Sequence, residues 1–313
     1  MTVTDHDLTG YPLPQRLVRA AQEILGEKSV AWLAGIPDIA RHCAQQWSCN
    51  FAAPFESLSY NYVAPGRRMD GSAVVLKVCI PGPEYATEAN CLAEYNGDGA
   101  LRLLARDDAR QALLLERLLP GAALTAHPDV ETATHIAAGL MRRLWRPSQQ
   151  RDSYPTVAVW MQHMADRSPG VLGAGHPFPQ SWVSRALATY AELAQDQPDE
   201  VLLHGDLHMD NILSAQREPW LVIDPKGVIG PPIWETGPLI LNAFPNGCDS
   251  ATQRTPIHRI ARQLAAELAF DVKSVAAWGM VRSVLSGWWT VEDHGYDWED
   301  SIAIAGILND MIC

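Results

Sequence analysis

LLHGDLHMDNIL, residues 202–213, places two histidines, two aspartates and an asparagine within eight residues between apolar neighbours. Polar and charged groups beside buried strands cost free energy unless hydrogen bonds or a bound ligand satisfy them. This stretch therefore predicts one of two things. It is either a hydrogen-bond network within a loop, or a site that binds a metal and a substrate.

Four residues of the stretch, His204, Asp206, Leu207 and Asn211, fit the pattern H-x-D-L-x-x-x-N of kinase catalytic loops. Asp224 follows Asp206 by 18 residues, at the end of an apolar strand-like run. Phosphoryl transfer requires positioning and neutralisation of phosphate charge. We therefore expect Asp206 to orient and deprotonate an attacking hydroxyl group. Asn211 and Asp224 are expected to bind Mg²⁺, which prefers oxygen ligands.

The alternative for this stretch is a polar turn whose Asp and His side chains cap loop backbone. The pattern lies between predicted strands and is followed by an aspartate at a strand end, which favours the catalytic interpretation. His208 is expected to orient the loop, because Mg²⁺ prefers oxygen to nitrogen.

The stretch VVLKV, residues 74–78, matches the V-A-I-K strand of kinases. It predicts that Lys77 contacts the α- and β-phosphates of a nucleotide. Glu88, in the predicted helix 84–97, is the expected ion-pair partner of Lys77, and Glu84 is the competitor. Without the downstream motif, a lysine on a strand would be interpreted as an ordinary solvated side chain.

The stretch LLLERLLPG, residues 113–121, is the candidate hinge that binds adenine. We expect the backbone of Glu116 and Leu118 to contact the adenine ring and Leu115 to line its pocket. The alternative is an ordinary edge strand.

The remaining pattern predicts an α+β, bilobal, protein-kinase-like fold. Residues 1–118 are expected to form a lobe with a small mixed β-sheet, and residues 119–313 a mainly helical lobe. In the first lobe the sequence predicts a helical segment over 16–50 and a hairpin formed by 56–64 and 72–80. A strand–turn–strand unit over 101–118 follows. In the second lobe VLLHGD, NILSA and WLVIDPKG are predicted strands, and three helical stretches close the chain.

Composition excludes several functional classes. A net charge of −12 argues against a nucleic-acid partner and favours a cationic small molecule. The six cysteines form no C-x-x-C pair, which disfavours a zinc site and suits a reducing cytosol. The amino-terminal residues do not resemble a signal peptide, and no apolar run predicts a membrane span. A cytoplasmic location is therefore expected.

Several departures from protein kinases disfavour a regulated protein kinase. The glycine-rich G-x-G-x-x-G-x-V loop and the A-P-E motif are absent from the sequence. Gly205 replaces the arginine of H-R-D, and DPK replaces D-F-G. The chain thus retains the order of the kinase catalytic motifs but lacks the motifs that protein kinases use with peptide substrates.

The chain resembles aminoglycoside phosphotransferases, and more narrowly the streptomycin 6-kinase (aminoglycoside/hydroxyurea antibiotic resistance kinase) family. The stretches that carry this resemblance are AWLAGIP (31–37), LLLERL (113–118), VLLHGDLHMDNILSAQREPWLVIDPKGVIG (201–230) and SGWWTVEDHG (286–295). The resemblance implies a kinase-like fold with ATP, Mg²⁺ and an antibiotic acceptor. It supports Asp206 as the base, Asn211 and Asp224 as metal ligands, and Lys77 as a phosphate contact.

A streptomycin-like acceptor carries guanidinium groups, which carboxylates and aromatic faces bind well. In GWWTVEDHGYDWED, residues 287–300, Trp289, Glu292 and Asp293 are the expected acceptor contacts. The alternative is a solvated acidic loop over core tryptophans. Glu235, in PPIWETGPLILN, is expected either to face the acceptor or to hydrogen-bond the Asp224 loop.

The leading hypothesis is an ATP-dependent streptomycin 6-phosphotransferase that confers antibiotic resistance. One alternative is a related kinase for another cationic antibiotic, hydroxyurea or a sugar. The other is a catalytically silent, kinase-like binding protein. The presence of Asp206, Asn211, Asp224 and Lys77 argues against the silent protein.

Overall fold

The structure, a computed structural model, describes residues 12–56, 58, 60–173, 175–196, 200–243 and 250–312. The described residues form two compact units. The first extends to Gly97 and includes Leu101–Leu118, and the second comprises Asp98–Ala100 and the described residues from Leu119 onward. The division after Leu118 lies within the segment predicted as the hinge.

The first unit contains a sheet in the order β1-β2-β3-β5-β4, in which each strand is antiparallel to its neighbours. These strands are β1 (Cys49–Phe51), β2 (Tyr62–Arg68), β3 (Ala73–Val78), β4 (Leu103–Asp107) and β5 (Ala112–Glu116). The strand β3, which carries Lys77, lies at the centre of the sheet. It is therefore held on both sides by backbone hydrogen bonds.

The predicted hairpin is present, but its first strand begins later than expected. The strand β2 continues through Gly66, Arg67 and Arg68, which the sequence assigned to the turn. Gly66 belongs in the strand because β1 approaches it closely: an added Cβ would lie 2.5 Å from the ring of Phe51. Residues 57 and 59 of the prediction lie outside the described residues.

Three helices complete the first unit: α1 (Gln15–Leu25), α2 (Lys28–Gln46) and α3 (Glu84–Tyr95). The segment predicted as helical over 16–50 is thus two helices followed by β1. Gly26, at a φ of 56°, separates α1 from α2. The helix α3 matches its prediction and ends where Asn96 adopts a left-handed φ of 47°.

The second unit is mainly helical. Its helices are α4 (Val130–Leu144), α5 (Val157–Val171), α6 (Gln180–Leu193), α7 (Thr236–Leu241), α8 (Ser250–Leu268), α9 (Val272–Asp293) and α10 (Glu299–Ile312). Asp129 begins α4 by accepting hydrogen bonds from the N–H groups of Glu131 and Thr132. The last three helices correspond to the three predicted closing stretches.

Two small antiparallel sheets interrupt these helices. The strands β6 (Pro120–Ala123), β8 (Ile212–Ala215) and β9 (Trp220–Val222) form one sheet in the order β6-β8-β9. The strands β7 (Val201–Leu203) and β10 (Val228–Gly230) form the other. The sequence predicts β7, β8 and β9, but it misses β10. The 202–213 stretch begins in β7, which pairs with β10, and ends in β8, which lies between β6 and β9. Strands therefore fix both ends of the stretch.

The helix α9 lies in the core of the second unit. Residues around its circumference are buried, and the largest of these side chains are Trp278, Met280, Arg282, Leu285 and Trp288. Among the helices of the described residues, none is both long and apolar enough to span a bilayer.

Candidate active site

The loop that carries the predicted catalytic residues connects β7 to β8. The carbonyl oxygen of His204 accepts hydrogen bonds from the N–H groups of Lys226 (2.8 Å) and Gly227 (3.1 Å). Gly205 has a φ of 83°, and an added Cβ there would lie 2.9 Å from Cγ1 of Val228. The arginine of the kinase H-R-D pattern therefore does not fit at this position, and glycine does.

His204 is fully buried, and each of its ring nitrogens has a backbone partner. Nε2 lies 2.8 Å from the carbonyl oxygen of Ile223, and Nδ1 accepts a hydrogen bond from the N–H group of Asp206 at 3.2 Å. Because a carbonyl oxygen only accepts, Nε2 carries the ring proton. Burial lowers the pKa of His204 to about 4. His204 is therefore a neutral link between Asp206 and the chain that leads to Asp224.

Glu235 is only 1% exposed and binds the same loop. Its Oε1 accepts hydrogen bonds from the backbone N–H groups of Gly205 (3.0 Å) and Leu207 (3.4 Å). Burial raises the pKa of Glu235 to about 7, although these N–H groups act in the opposite direction. Glu235 therefore binds the backbone on both sides of Asp206, a contact that the sequence did not predict.

The side chain of Asp206 is 27% exposed, and its Oδ1 accepts a hydrogen bond from Nη2 of Arg282 at 3.2 Å. Burial by itself would raise the pKa of Asp206. The positive charges of Lys226 and Arg282 outweigh that effect, and the pKa lies below its usual value. The carboxylate is therefore ionised at neutral pH and reachable by a ligand, which suits a group that orients a hydroxyl and accepts its proton.

Asn211 and Asp224 lie at the same end of the β8–β9 hairpin. The strand β8 begins directly after Asn211, and the N–H group of Ile223 donates to the carbonyl oxygen of Asn211 at 2.9 Å. Nδ2 of Asn211 donates to the backbone carbonyl oxygen of Asp206 at 3.0 Å. This bond fixes the orientation of the amide and makes its oxygen, not its nitrogen, the atom for a metal contact.

Asp224 adopts a left-handed backbone conformation with a φ of 56°, and its side chain is exposed. Non-glycine residues are rarely found in this region, and such positions concentrate at functional sites. One carboxylate and one amide oxygen form the kind of hard, oxygen-only ligand set that Mg²⁺ shares with substrate phosphates. The residues at this end of the hairpin therefore fit Mg²⁺.

Two cations of the protein, Lys226 and Arg282, lie over the ring of Trp289. Nζ of Lys226 is 5.1 Å from the ring centroid, and the guanidinium carbon of Arg282 is 5.0 Å from it. Trp160 packs edge-on against the same indole at 5.1 Å. The sequence predicted that Trp289 would stack on a cationic acceptor. The structure instead shows it stacking on the cations that neighbour Asp206.

Glu292, at the carboxyl end of α9, binds two side chains of α5. Its carboxylate accepts a hydrogen bond from Nε of Arg167 at 3.2 Å and lies 3.1 Å from Nε2 of His163. Asp293, the next residue, is exposed. An acceptor guanidinium that binds Glu292 would therefore have to compete with Arg167 or share the carboxylate with it.

In the first unit, Lys77 and Glu88 form the predicted ion pair. Nζ of Lys77 lies 2.7 Å and 2.8 Å from the two carboxylate oxygens of Glu88, and both side chains are buried. Glu84, the competitor, lies one turn earlier on α3. The bidentate pair fixes the ammonium group at the centre of the sheet.

The candidate hinge residues Leu115 and Glu116 end β5, and Leu118 follows the strand. Leu115 and Leu118 are buried. The N–H group of Glu116 donates to the carbonyl oxygen of Arg102 at 2.9 Å, and its side chain accepts from the N–H group of Arg102 at 3.0 Å. An adenine contact through the N–H group of Glu116 would therefore compete with the sheet, and the contact predicted for Glu116 requires its carbonyl oxygen.

Sequence reasoning missed two residues that the structure brings to Asp206, namely Arg282 and Lys226. For Arg282 the available signal was an arginine within an otherwise apolar helix, since such a charge is costly to bury without a partner. For Lys226 the signal was its position two residues after Asp224.

Comparison with known proteins places these features in a family context. The model of the family described as aminoglycoside/hydroxyurea antibiotic resistance kinase matches residues 51–294. The chain is 29% identical to the streptomycin 6-kinase of Streptomyces griseus, over 94% of each chain. It is 30% identical to the hydroxyurea phosphotransferase of Kitasatospora aureofaciens, over 95% of this chain and 85% of the relative.

Among solved structures, the fold matches that of a thermostable mutant of aminoglycoside phosphotransferase APH(4)-Ia in complex with ADP and hygromycin B. The TM-score is 0.58, the identity is 15%, and the match covers 87% of this chain and 97% of the other. The α+β, protein-kinase-like fold predicted from the sequence is thus confirmed.

Proposed function

Because the chain belongs to the aminoglycoside/hydroxyurea antibiotic resistance kinase family and is a small-molecule phosphotransferase, we propose that it phosphorylates the 6-hydroxyl of streptomycin with ATP. The observation that supports streptomycin as the acceptor is the 29% identity to a streptomycin 6-kinase over 94% of both chains. Phosphorylation of this kind would inactivate the antibiotic and protect the host.

In the proposed reaction Asp206 binds the acceptor hydroxyl. The hydroxyl oxygen attacks the γ-phosphorus of ATP, a new P–O bond forms, and the bond between the γ-phosphorus and the bridging oxygen breaks. The hydroxyl proton passes to the carboxylate of Asp206, and ADP leaves with the electron pair of the broken bond. Ionisation of Asp206, which Lys226 and Arg282 favour, supports this role.

The backbone around Asp206 supports the same role, because three groups hold it. His204 accepts from its N–H group, Asn211 donates to its carbonyl oxygen, and Glu235 binds the flanking N–H groups of Gly205 and Leu207. Because hydrogen bonds hold the backbone on both sides of Asp206, its carboxylate is well suited to aligning a hydroxyl.

Asn211 and Asp224 would hold Mg²⁺, which would neutralise negative charge on the phosphates. Lys77, fixed by Glu88, would contact the α- and β-phosphates. Leu115 would line the adenine pocket, and the backbone of Glu116 and Leu118 would bind its edge.

Recognition of streptomycin would use the carboxyl end of α9, where Glu292 and Asp293 supply negative charge. The guanidinium groups of the acceptor would then bind away from Lys226 and Arg282, which repel cations near Asp206. Because Arg167 already binds Glu292, it would compete with the acceptor for this carboxylate and so influence how tightly the acceptor binds.

Hydroxyurea is a second candidate acceptor, and the cations beside Asp206 favour it. Hydroxyurea is small and uncharged, so Lys226 and Arg282 would not repel it. The 30% identity to a hydroxyurea phosphotransferase over 95% of this chain supports hydroxyurea to the same degree as the identity to a streptomycin 6-kinase supports streptomycin.

One acceptor panel tests both candidates. The purified protein is incubated with ATP, Mg²⁺ and, separately, streptomycin, hydroxyurea, kanamycin and a hexose, and the products are identified by mass spectrometry and ³¹P NMR. A phosphate ester on the 6-hydroxyl of streptomycin, with no turnover of kanamycin, is the expected result. Turnover of hydroxyurea alone supports the second candidate, and turnover of the hexose alone contradicts both.

A further inference from the structure

Arg282 is a charged residue in the buried interior of α9. It is 2% exposed, and its helix neighbours Val281, Ser283 and Val284 are also buried. Burying a guanidinium costs free energy unless it is paired and fully hydrogen-bonded. The apolar character of the helix therefore does not explain why an arginine lies at this position.

The aliphatic part of the Arg282 side chain packs against Gly237, which has no side chain to fill that space. An added Cβ at Gly237 would lie 2.7 Å from Cβ and 2.8 Å from Cγ of Arg282. The start of α7 thus packs directly on the aliphatic part of the arginine. This packing holds the stem in one direction and aims the guanidinium at Asp206.

The guanidinium makes one hydrogen bond to a carboxylate, from Nη2 to Oδ1 of Asp206 at 3.2 Å. Its Nε and Nη1 atoms are buried without a hydrogen-bond partner among the described residues. The indole of Trp289 covers the group at 5.0 Å. Such incomplete pairing is a poor arrangement for stabilising a fold, whereas it leaves the single bond to Asp206 well defined.

We propose that Arg282 is a positioning residue for phosphoryl transfer: its guanidinium, held between Gly237 and Trp289, fixes the direction of the carboxylate of Asp206 through the hydrogen bond from Nη2. This inference rests on the proposed role of Asp206 as the group that binds the acceptor hydroxyl. It does not depend on which acceptor is used.

Two variants and a matched control test the proposal. Arg282→Met removes the charge and retains an apolar stem, Arg282→Lys retains the charge without the planar fork, and Lys273→Met removes a charge from the exposed start of the same helix. The readouts are kcat, KM for ATP and thermal unfolding, and the kinetics are measured with whichever acceptor is turned over, or on hydrolysis of ATP if none is.

We expect Arg282→Met to lower kcat by roughly 10–100-fold with little change in KM for ATP, the size of effect expected when a catalytic group loses its alignment. Its unfolding temperature should equal or exceed that of the parent. Arg282→Lys retains a donor for Asp206 without the planar fork and should restore part of kcat. Lys273→Met should behave like the parent in every readout.

The proposal is overturned if Arg282→Met retains the parent's kcat, or if it fails to fold, because the arginine would then be structural. Because the kinetics use whichever acceptor is turned over, a lower kcat with an unchanged KM for ATP supports the inference even if the acceptor panel contradicts the proposed function. An unchanged kcat contradicts the inference even if streptomycin is the acceptor.

Discussion

Nδ2 of Asn211 donates a hydrogen bond to the backbone carbonyl oxygen of Asp206 over 3.0 Å, so the proposed metal ligand and the proposed base support each other. The bond spans the 3-10 turn Met209–Asn211 and closes the catalytic loop. This bond couples the position of the proposed metal ligand to that of the proposed base.

Replacement of Asp206 by alanine should reduce kcat by roughly 10²–10⁴-fold, the range for loss of a positioned proton acceptor. Affinity for ATP should change little, since the phosphate contacts proposed for Lys77, Asn211 and Asp224 remain. Steady-state kinetics and calorimetric titration with ATP measure the two effects. Near-normal turnover in this variant would remove Asp206 from its role.

Replacement of Asp224 by glycine should separate metal binding from backbone strain. Glycine adopts the φ of 56° without strain, so Asp224→Gly should be more stable than Asp224→Ala by about 1 kcal/mol. Both variants should lose Mg²⁺-dependent nucleotide binding, because both lack the carboxylate. Urea unfolding and calorimetry with and without Mg²⁺ are the measurements, and Mg²⁺-dependent binding by either variant would argue against ligation by Asp224.

The buried pair of Lys77 and Glu88 should be more important for function than for stability. Lys77→Met alone leaves the Glu88 carboxylate buried without its ammonium and should cost roughly 3–5 kcal/mol of unfolding free energy. The double variant Lys77→Met/Glu88→Leu should recover most of that stability, because an apolar pair fills the site. It should not recover turnover. Full activity in the double variant would show that Lys77 does not contact the phosphates.

The stability of the protein should depend on pH through Glu235. Its pKa is raised from 4.5 to about 7, so the folded state binds a proton that the unfolded state releases. The stabilising contribution is present in full below pH 4.5 and is lost as pH rises through about 7. The loss is on the order of 3 kcal/mol.

Glu235→Gln provides the matched control for this prediction, since it keeps an acceptor oxygen for Gly205 and Leu207 and cannot ionise. Urea unfolding at several pH values between 5.5 and 8 should show a falling stability in the parent and a flatter profile in the variant. Parallel profiles would assign the pH dependence to another group.

The sequence predicted those parts of the site that depend on local spacing. Lys77 and Glu88 are 11 residues apart on a strand and the helix that follows it, so a known pattern was sufficient to pair them. The same is true of Asp206, Asn211 and Asp224, which lie on one loop and hairpin. The strands β7, β8 and β9 followed from short apolar runs, whereas β10 offers only two apolar residues between Gly227 and Gly230.

The contacts that the sequence did not predict join residues far apart in the chain. Arg282 reaches Asp206 across 76 residues, and Glu292 reaches Arg167 across 125. The residue types at 289 and 292 suggested acceptor recognition. Only the packing of α9 revealed that Lys226 and Arg282 cover the indole of Trp289 and that Arg167 binds Glu292.

The helix α9 carries Arg282 near its middle and Glu292 close to its end, ten residues apart. At 1.5 Å per residue these positions are about 15 Å from each other along one rigid rod. Under the proposed roles, mutations at the carboxyl end would therefore alter which molecules are accepted without disturbing the alignment of Asp206. A scaffold of this kind allows a lineage of resistance enzymes to diverge in substrate while its chemistry stays constant.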